Sequence, residues 1–160
     1  MIAPSSSGLR LDRYVGKVLD ELKAQDVLDQ TFVLFISDNG RPFPRDKTSL
    51  YDSGIRTPMF VRYPPLVKAG SVCDQLISAI DLAPTFLELA GADAGKPLPG
   101  ISFLPLLKKG DAPSIRTYAF AEKNWHDYED HSRAVRDTRY KYIRNYYHDL
   151  PPTPPADAVR

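Results

Sequence analysis

Asp38 and Asn39 stand side by side in FVLFISDNG, where an apolar run ends. A carboxylate and an amide carbonyl in adjacent positions supply two hard oxygen donors, a set suited to calcium or magnesium rather than zinc or copper. Asn-Gly is also a leading turn dipeptide, so SDNG reads equally as an ordinary turn. Just downstream, Arg41, Arg45, Lys47 and Arg56 share one loop. Cations clustered near a hard metal suit a tetrahedral anion, phosphate or sulfate, whose oxygens both kinds of charge neutralise. The competing reading is a solvated basic loop balanced by Asp46 and Asp52, with Tyr51, Gly54 and Pro58 as scaffolding in either case.

The elements that must position these residues follow from hydrophobic period. In LRLDRYVGKVLDELKAQ the apolar residues fall mostly three and four apart, which predicts an amphipathic helix. TFVLFIS is apolar without alternation, which predicts a strand covered on both faces in a parallel sheet. A helix followed by such a strand implies an α/β layer. TPMFVRYP reads as a second short strand stopped by Pro64 and Pro65, and VKAGSVCDQLISAI as a turn with a further strand. DLAPTFLELAG is a helix that Asp81 caps, with Pro84 early and Gly91 at its end. ISFLPLLKKG reads as a single helical turn.

The main layer is expected to span residues 1–110, and residues 111–160 to form a small antiparallel appendage with a proline-rich tail, DLPPTPPADAVR. In the appendage TYAFAEK and SRAVRDTRYKYIRNYY read as strands, the second folding back at Asp137 and Thr138.

Composition narrows the functional classes. At 160 residues, 42% hydrophobic, 26% charged and with a formal charge of +1, the chain has no bulk charge aimed at nucleic acid or an anionic membrane. No apolar run approaches the ~20 residues needed to span a bilayer, and MIAPSSSGLRLDRY lacks the apolar region of a signal peptide. Cys73 is the single cysteine, which excludes an internal disulfide or a cysteine zinc cluster and reads as a small buried side chain.

The order of the motifs is more specific than any one of them. A strand ending in Asp-Asn-Gly, then a basic residue, then Y-x-x-G-x-R-x-P at Tyr51 to Pro58, then D-x-x-P-T at Asp81 to Thr85, resembles the later part of the sulfatase family within the alkaline-phosphatase-like superfamily. The resemblance is close over residues 9–110 and looser to about residue 145; FAEKNWHDYEDHSRAVRDTRYKYIRN is similar to the C-terminal appendage of heparan N-sulfatase and related bacterial sulfatases.

The resemblance implies an alkaline-phosphatase-like mixed sheet layered with helices. It implies a calcium ion held partly by Asp38 and Asn39, a sulfate contact from Lys47, and a structural role for Tyr51, Gly54 and Arg56. The family's nucleophile is a formylglycine made within a C-x-P-S-R or related motif. SVCDQLI around Cys73 has neither the proline nor the arginine, so Cys73 is not that nucleophile. The nucleophile and an early acidic pair are then expected upstream, in the same polypeptide, and this chain alone is expected to be inactive. Family members imply a periplasmic, secreted or lysosomal compartment.

His126 and His131, with Trp125, are placed to line a sulfated-sugar entrance; alternatively Trp125 packs the appendage onto the main layer and the histidines stay at the surface. Three functions stand side by side: a sulfuric ester or sulfamate hydrolase acting on sulfated sugars or glycosaminoglycans, a phosphoric ester hydrolase of the same superfamily, and a non-catalytic module that binds anions or carbohydrate.

Overall fold

The computed structural model describes residues 6–110, 112–127 and 129–150; the proline-rich tail lies outside the described residues. The architecture is mixed α/β. Helix α1 (Ser6–Ala24) carries the period expected of LRLDRYVGKVLDELKAQ, and Lys23 in its last turn complements the helix dipole. Leu11, Tyr14 and Val18 on its apolar stripe stay exposed. A 3-10 turn (Leu28–Gln30) leads from α1 to the sheet. Arg62 anchors that turn by donating to the Leu28 carbonyl at 2.8 Å and to Asp29 at 2.5 Å.

Strand β1 (Val33–Ile36) pairs with β2 (Met59–Arg62) in register Val33 to Arg62 and Ile36 to Met59. The pairing is antiparallel, which corrects the parallel sheet expected from TFVLFIS. A parallel neighbour needs a crossover of a dozen or more residues, usually a helix. Here a loop with one short helix, α2 (Asp52–Ile55), folds the chain back beside itself instead. The double-sided cover expected of the strand is also not met, since among the described residues the sheet has two strands, Ile36 is 43% exposed and Phe60 66%.

Helix α3 (Leu82–Ala90) packs its Phe86 ring edge-on against Phe32, which in turn meets Tyr63, with centroids 5.8 Å apart in both pairs. Pro84 sits in its first turn and Gly91 ends it at φ 63°, a left-handed value that glycine adopts without penalty. No strand forms in VKAGSVCDQLISAI; its last residues enter a 3-10 turn (Ala79–Asp81), and Cys73 is exposed rather than buried. Helix α4 (Leu104–Lys108) is the expected short turn, and with Phe103 at 2% exposure its Leu104 and Leu106 form the apolar core against α3.

The appendage is a meander of β3 (Ala119–Trp125), β4 (Glu129–Arg136) and β5 (Lys141–Asn145), all antiparallel. Its β4–β5 turn forms where expected: the Asp137 carboxylate accepts the Arg139 and Tyr140 amides at 2.7 and 2.5 Å. Those amides, Tyr140 first, hold Asp137 below the usual aspartate range. One face of this sheet buries Ser132 and Ala134, and the other exposes Phe120 and Tyr142.

Candidate functional site

The β1–β2 ladder closes with the Ser37 amide donating to the Pro58 carbonyl at 3.2 Å, and Asp38 is the next residue. Ser37 Oγ donates to the Asn39 carbonyl at 2.8 Å, so the strand end is fixed by its own side chain. Asp38 is exposed and Asn39 half-buried. Immediately beyond, the Gly40 amide donates to the Gly54 carbonyl at 3.1 Å, bringing the two ends of the basic loop together. A Cβ at Gly40 would lie 2.8 Å from the Gly54 Cα, closer than real Cβ contacts allow, which is why this position is glycine.

The loop itself is tightly stitched. The Lys47 amide donates to the Arg41 carbonyl at 2.9 Å, which seats Lys47 near the strand end. Arg45 and Thr48 on either side of it have φ of 69° and 65°, a left-handed conformation that costs a residue with a Cβ about 1–3 kcal/mol. Ser49 Oγ and Ser53 Oγ hold that conformation by donating to the Arg45 carbonyl at 2.5 and 2.9 Å. Strain held in this way is concentrated at functional loops. Arg41 pairs with the buried Asp46 at 3.3 Å and lies over the Phe43 ring, so part of the loop's basic charge is balanced internally. Arg56 closes α2 through its backbone amide on the Asp52 carbonyl at 2.8 Å.

Asp38, Asn39 and Lys47 therefore share one strand-end loop, whereas His126 and His131 belong to the appendage. His126 is exposed with Nδ1 3.2 Å from Asp127. His131 stacks on Tyr146 at 4.4 Å and meets Tyr147 edge-on at 5.7 Å. Trp125 is 68% exposed and does not pack the appendage onto the main layer.

Calcium takes about six to eight oxygen ligands, and this loop offers two neighbouring hard oxygen donors at a fixed strand end. No group of three acidic, histidine or cysteine side chains comes together among the described residues. Asp38 and Asn39 are two donors of the kind such an ion takes, and among the described residues no cluster of acidic, histidine or cysteine side chains completes the set.

Residues 43–151 match the family described as N-sulphoglucosamine sulphohydrolase, C-terminal. The chain belongs to the sulfatase family. It is 42% identical over 137 residues to an ulvan-active sulfatase of Formosa agariphila, covering 85% of this chain and 22% of that protein. Its fold superposes at a TM-score of 0.75 and 30% identity on a protein solved in complex with its substrate D-glucosamine-2-N,6-O-disulfate, over 89% of this chain and 30% of that one. A phosphonate monoester hydrolase from Silicibacter pomeroyi matches at a TM-score of 0.71 and 27% identity, over 84% and 30%. This sulfatase chain therefore spans only 22% to 30% of the length of these three proteins.

Two features of the sulfatase chain escaped the sequence reading. The D-x-x-P-T motif is a buried brace: Asp81 accepts the Ser78 and Ile101 amides at 2.7 and 2.8 Å and is paired with Arg116. Thr85 Oγ1 donates to the Asp81 carbonyl at 2.6 Å and accepts the Phe103 amide at 3.0 Å. Arg116, a lone arginine in an irregular connector, carried no local signal of that role. The second is Asp52, read as a balancing charge within its own loop, which instead meets Arg136 at 2.7 Å and Lys141 on the appendage.

Proposed function

We propose that the chain is part of a sulfuric ester or sulfamate hydrolase acting on sulfated sugars or glycosaminoglycans. The observation that carries this reading is the strand-end pair Asp38 and Asn39 beside the braced Lys47 loop, in a fold similar to that of a protein solved with glucosamine disulfate.

In this reading Asp38 and Asn39 donate two oxygens to a calcium ion whose other ligands come from elsewhere in the polypeptide. When bound, that ion supplies Lewis-acid polarisation of the sulfate oxygens. Lys47 binds an oxygen of the same sulfate and offsets the negative charge that grows on it during cleavage. His126 presents an exposed imidazole to the sugar, while His131, held in its stack with Tyr146, contributes a fixed aromatic surface. The chain has no formylglycine-forming motif, so residues 1–160 by themselves lack the nucleophile and are inactive.

The match to a phosphonate monoester hydrolase favours a second reading, an ester hydrolase acting on phosphorus. Rates on paired sulfated and phosphonylated aryl esters, measured with a polypeptide that contains this chain and the upstream region, separate the two. Sulfate release at least tenfold faster supports the sulfatase reading; faster phosphonate cleavage overturns it. Binding of sulfated glycan by that polypeptide with no turnover of either ester would instead favour a non-catalytic carbohydrate module.

A further inference from the structure

Arg136 and Lys141 face each other across the β4–β5 ladder, and like charges opposite one another destabilise a sheet. Asp52, from the basic loop, relieves that repulsion. Its carboxylate takes Arg136 Nη1 at 2.7 Å on one oxygen and Lys141 Nζ on the other. Lys141 Nζ also donates to the Leu50 carbonyl at 3.1 Å, so the appendage holds this segment at three points. The two cations are partly buried, with side chains 24% and 14% exposed, and they meet an Asp52 carboxylate that is 49% exposed.

The gripped segment leads directly to the site. Asp52 opens α2, and two residues later the Gly54 carbonyl accepts the Gly40 amide, next to Asn39. On the other side, Ser49 and Ser53 bond the Arg45 carbonyl and fix the left-handed turn around Lys47. We infer that Asp52 is a positioning residue: clamped by Arg136 and Lys141, it sets the Lys47 loop against the Asp38–Asn39 strand end and makes the appendage part of the site's support. The inference rests on the reading of Asp38, Asn39 and Lys47 as the cation- and anion-binding groups.

The test has one arm independent of activity. Hydrogen exchange of the Gly40, Lys47 and Gly54 amides is followed by NMR in the polypeptide that contains this chain, for the native sequence and for Asp52→Asn, Asp52→Glu and Lys141→Met. The expected result is exchange about tenfold faster at these three amides in Asp52→Asn and Lys141→Met, with β3, β4 and α3 amides unchanged and Asp52→Glu close to native. Unchanged exchange at the three amides overturns the inference, and so does an equal acceleration throughout the chain, which would make Asp52 a general stabiliser. In a polypeptide with measurable sulfate release, Asp52→Asn lowers kcat about tenfold or more and changes KM less. If the native polypeptide releases no sulfate while the selective exchange persists, the sulfatase reading fails and the clamp stands.

Discussion

Arg116 reaches from the connector before β3 to the Asp81 carboxylate at the head of α3, and the two form a buried ion pair. Asp81 is 0% exposed and Arg116 keeps only 10% of its side chain in solvent. Removing one partner of such a pair strands the other charge. Arg116→Met should therefore lower unfolding free energy by about 3–5 kcal/mol, read from urea denaturation. A loss below about 1 kcal/mol would show that Asp81 reaches water or another partner.

Thr85 links the same brace to the core, because its hydroxyl both donates to Asp81 and accepts from Phe103. Thr85→Val keeps the shape and strands the buried Phe103 amide, for an expected loss of about 1–3 kcal/mol. Thr85→Ser keeps the hydroxyl and should lose less. Denaturation midpoints in which the serine variant falls below the valine variant would remove the hydrogen bond from the account.

Acid should loosen the appendage. Lys141 first, then Arg136, hold the Asp52 carboxyl below the ordinary value of 3.8 against the opposing effect of burial. At Asp130 burial pushes upward most, but hydrogen bonds from Lys123 at 2.8 Å and from Ser132 bring the net shift down. Carboxyls depressed on folding contribute stability that is present above 3.8 and is lost as pH falls through their lower folded values. The urea midpoint is expected to drop from about pH 4 downward, and Asp52→Asn with Asp130→Asn should flatten that drop. An equally steep acid dependence in the double variant would place the responsible groups elsewhere.

Gly40 and Gly54 close the loop by near-contact of their backbones. Gly40→Ala forces α2 at Gly54 outward and should destabilise the chain by about 1–3 kcal/mol, with the Gly40 amide losing protection from exchange. Retained protection in Gly40→Ala would mean that the loop ends are further apart than described.

Local chemistry was legible where the determinants are close in sequence. The period of α1, the Gly91 stop and the Asp137 turn could all be read because each depends on neighbours within one turn. The partner of β1 could not, since VLFI suits a parallel or an antiparallel neighbour equally and the choice is made by the loop that follows. The grip of Arg136 and Lys141 on Asp52 joins residues more than eighty positions apart, and no pattern near Asp52 announces it. For the same reason the order of motifs identified the strand-end loop, whereas the roles of Asp81 and Arg116 emerged only from packing.

The central claim is that Asp38 and Asn39 are cation ligands of a sulfate-cleaving site. Its most direct test is sulfate release from a sulfated glucosamine by a polypeptide that carries this chain, measured across calcium concentrations for the native sequence and Asp38→Ala. The account predicts calcium-dependent release that falls at least a hundredfold in Asp38→Ala, with native-like thermal unfolding. Release by Asp38→Ala equal to native, with the same calcium dependence, would contradict it.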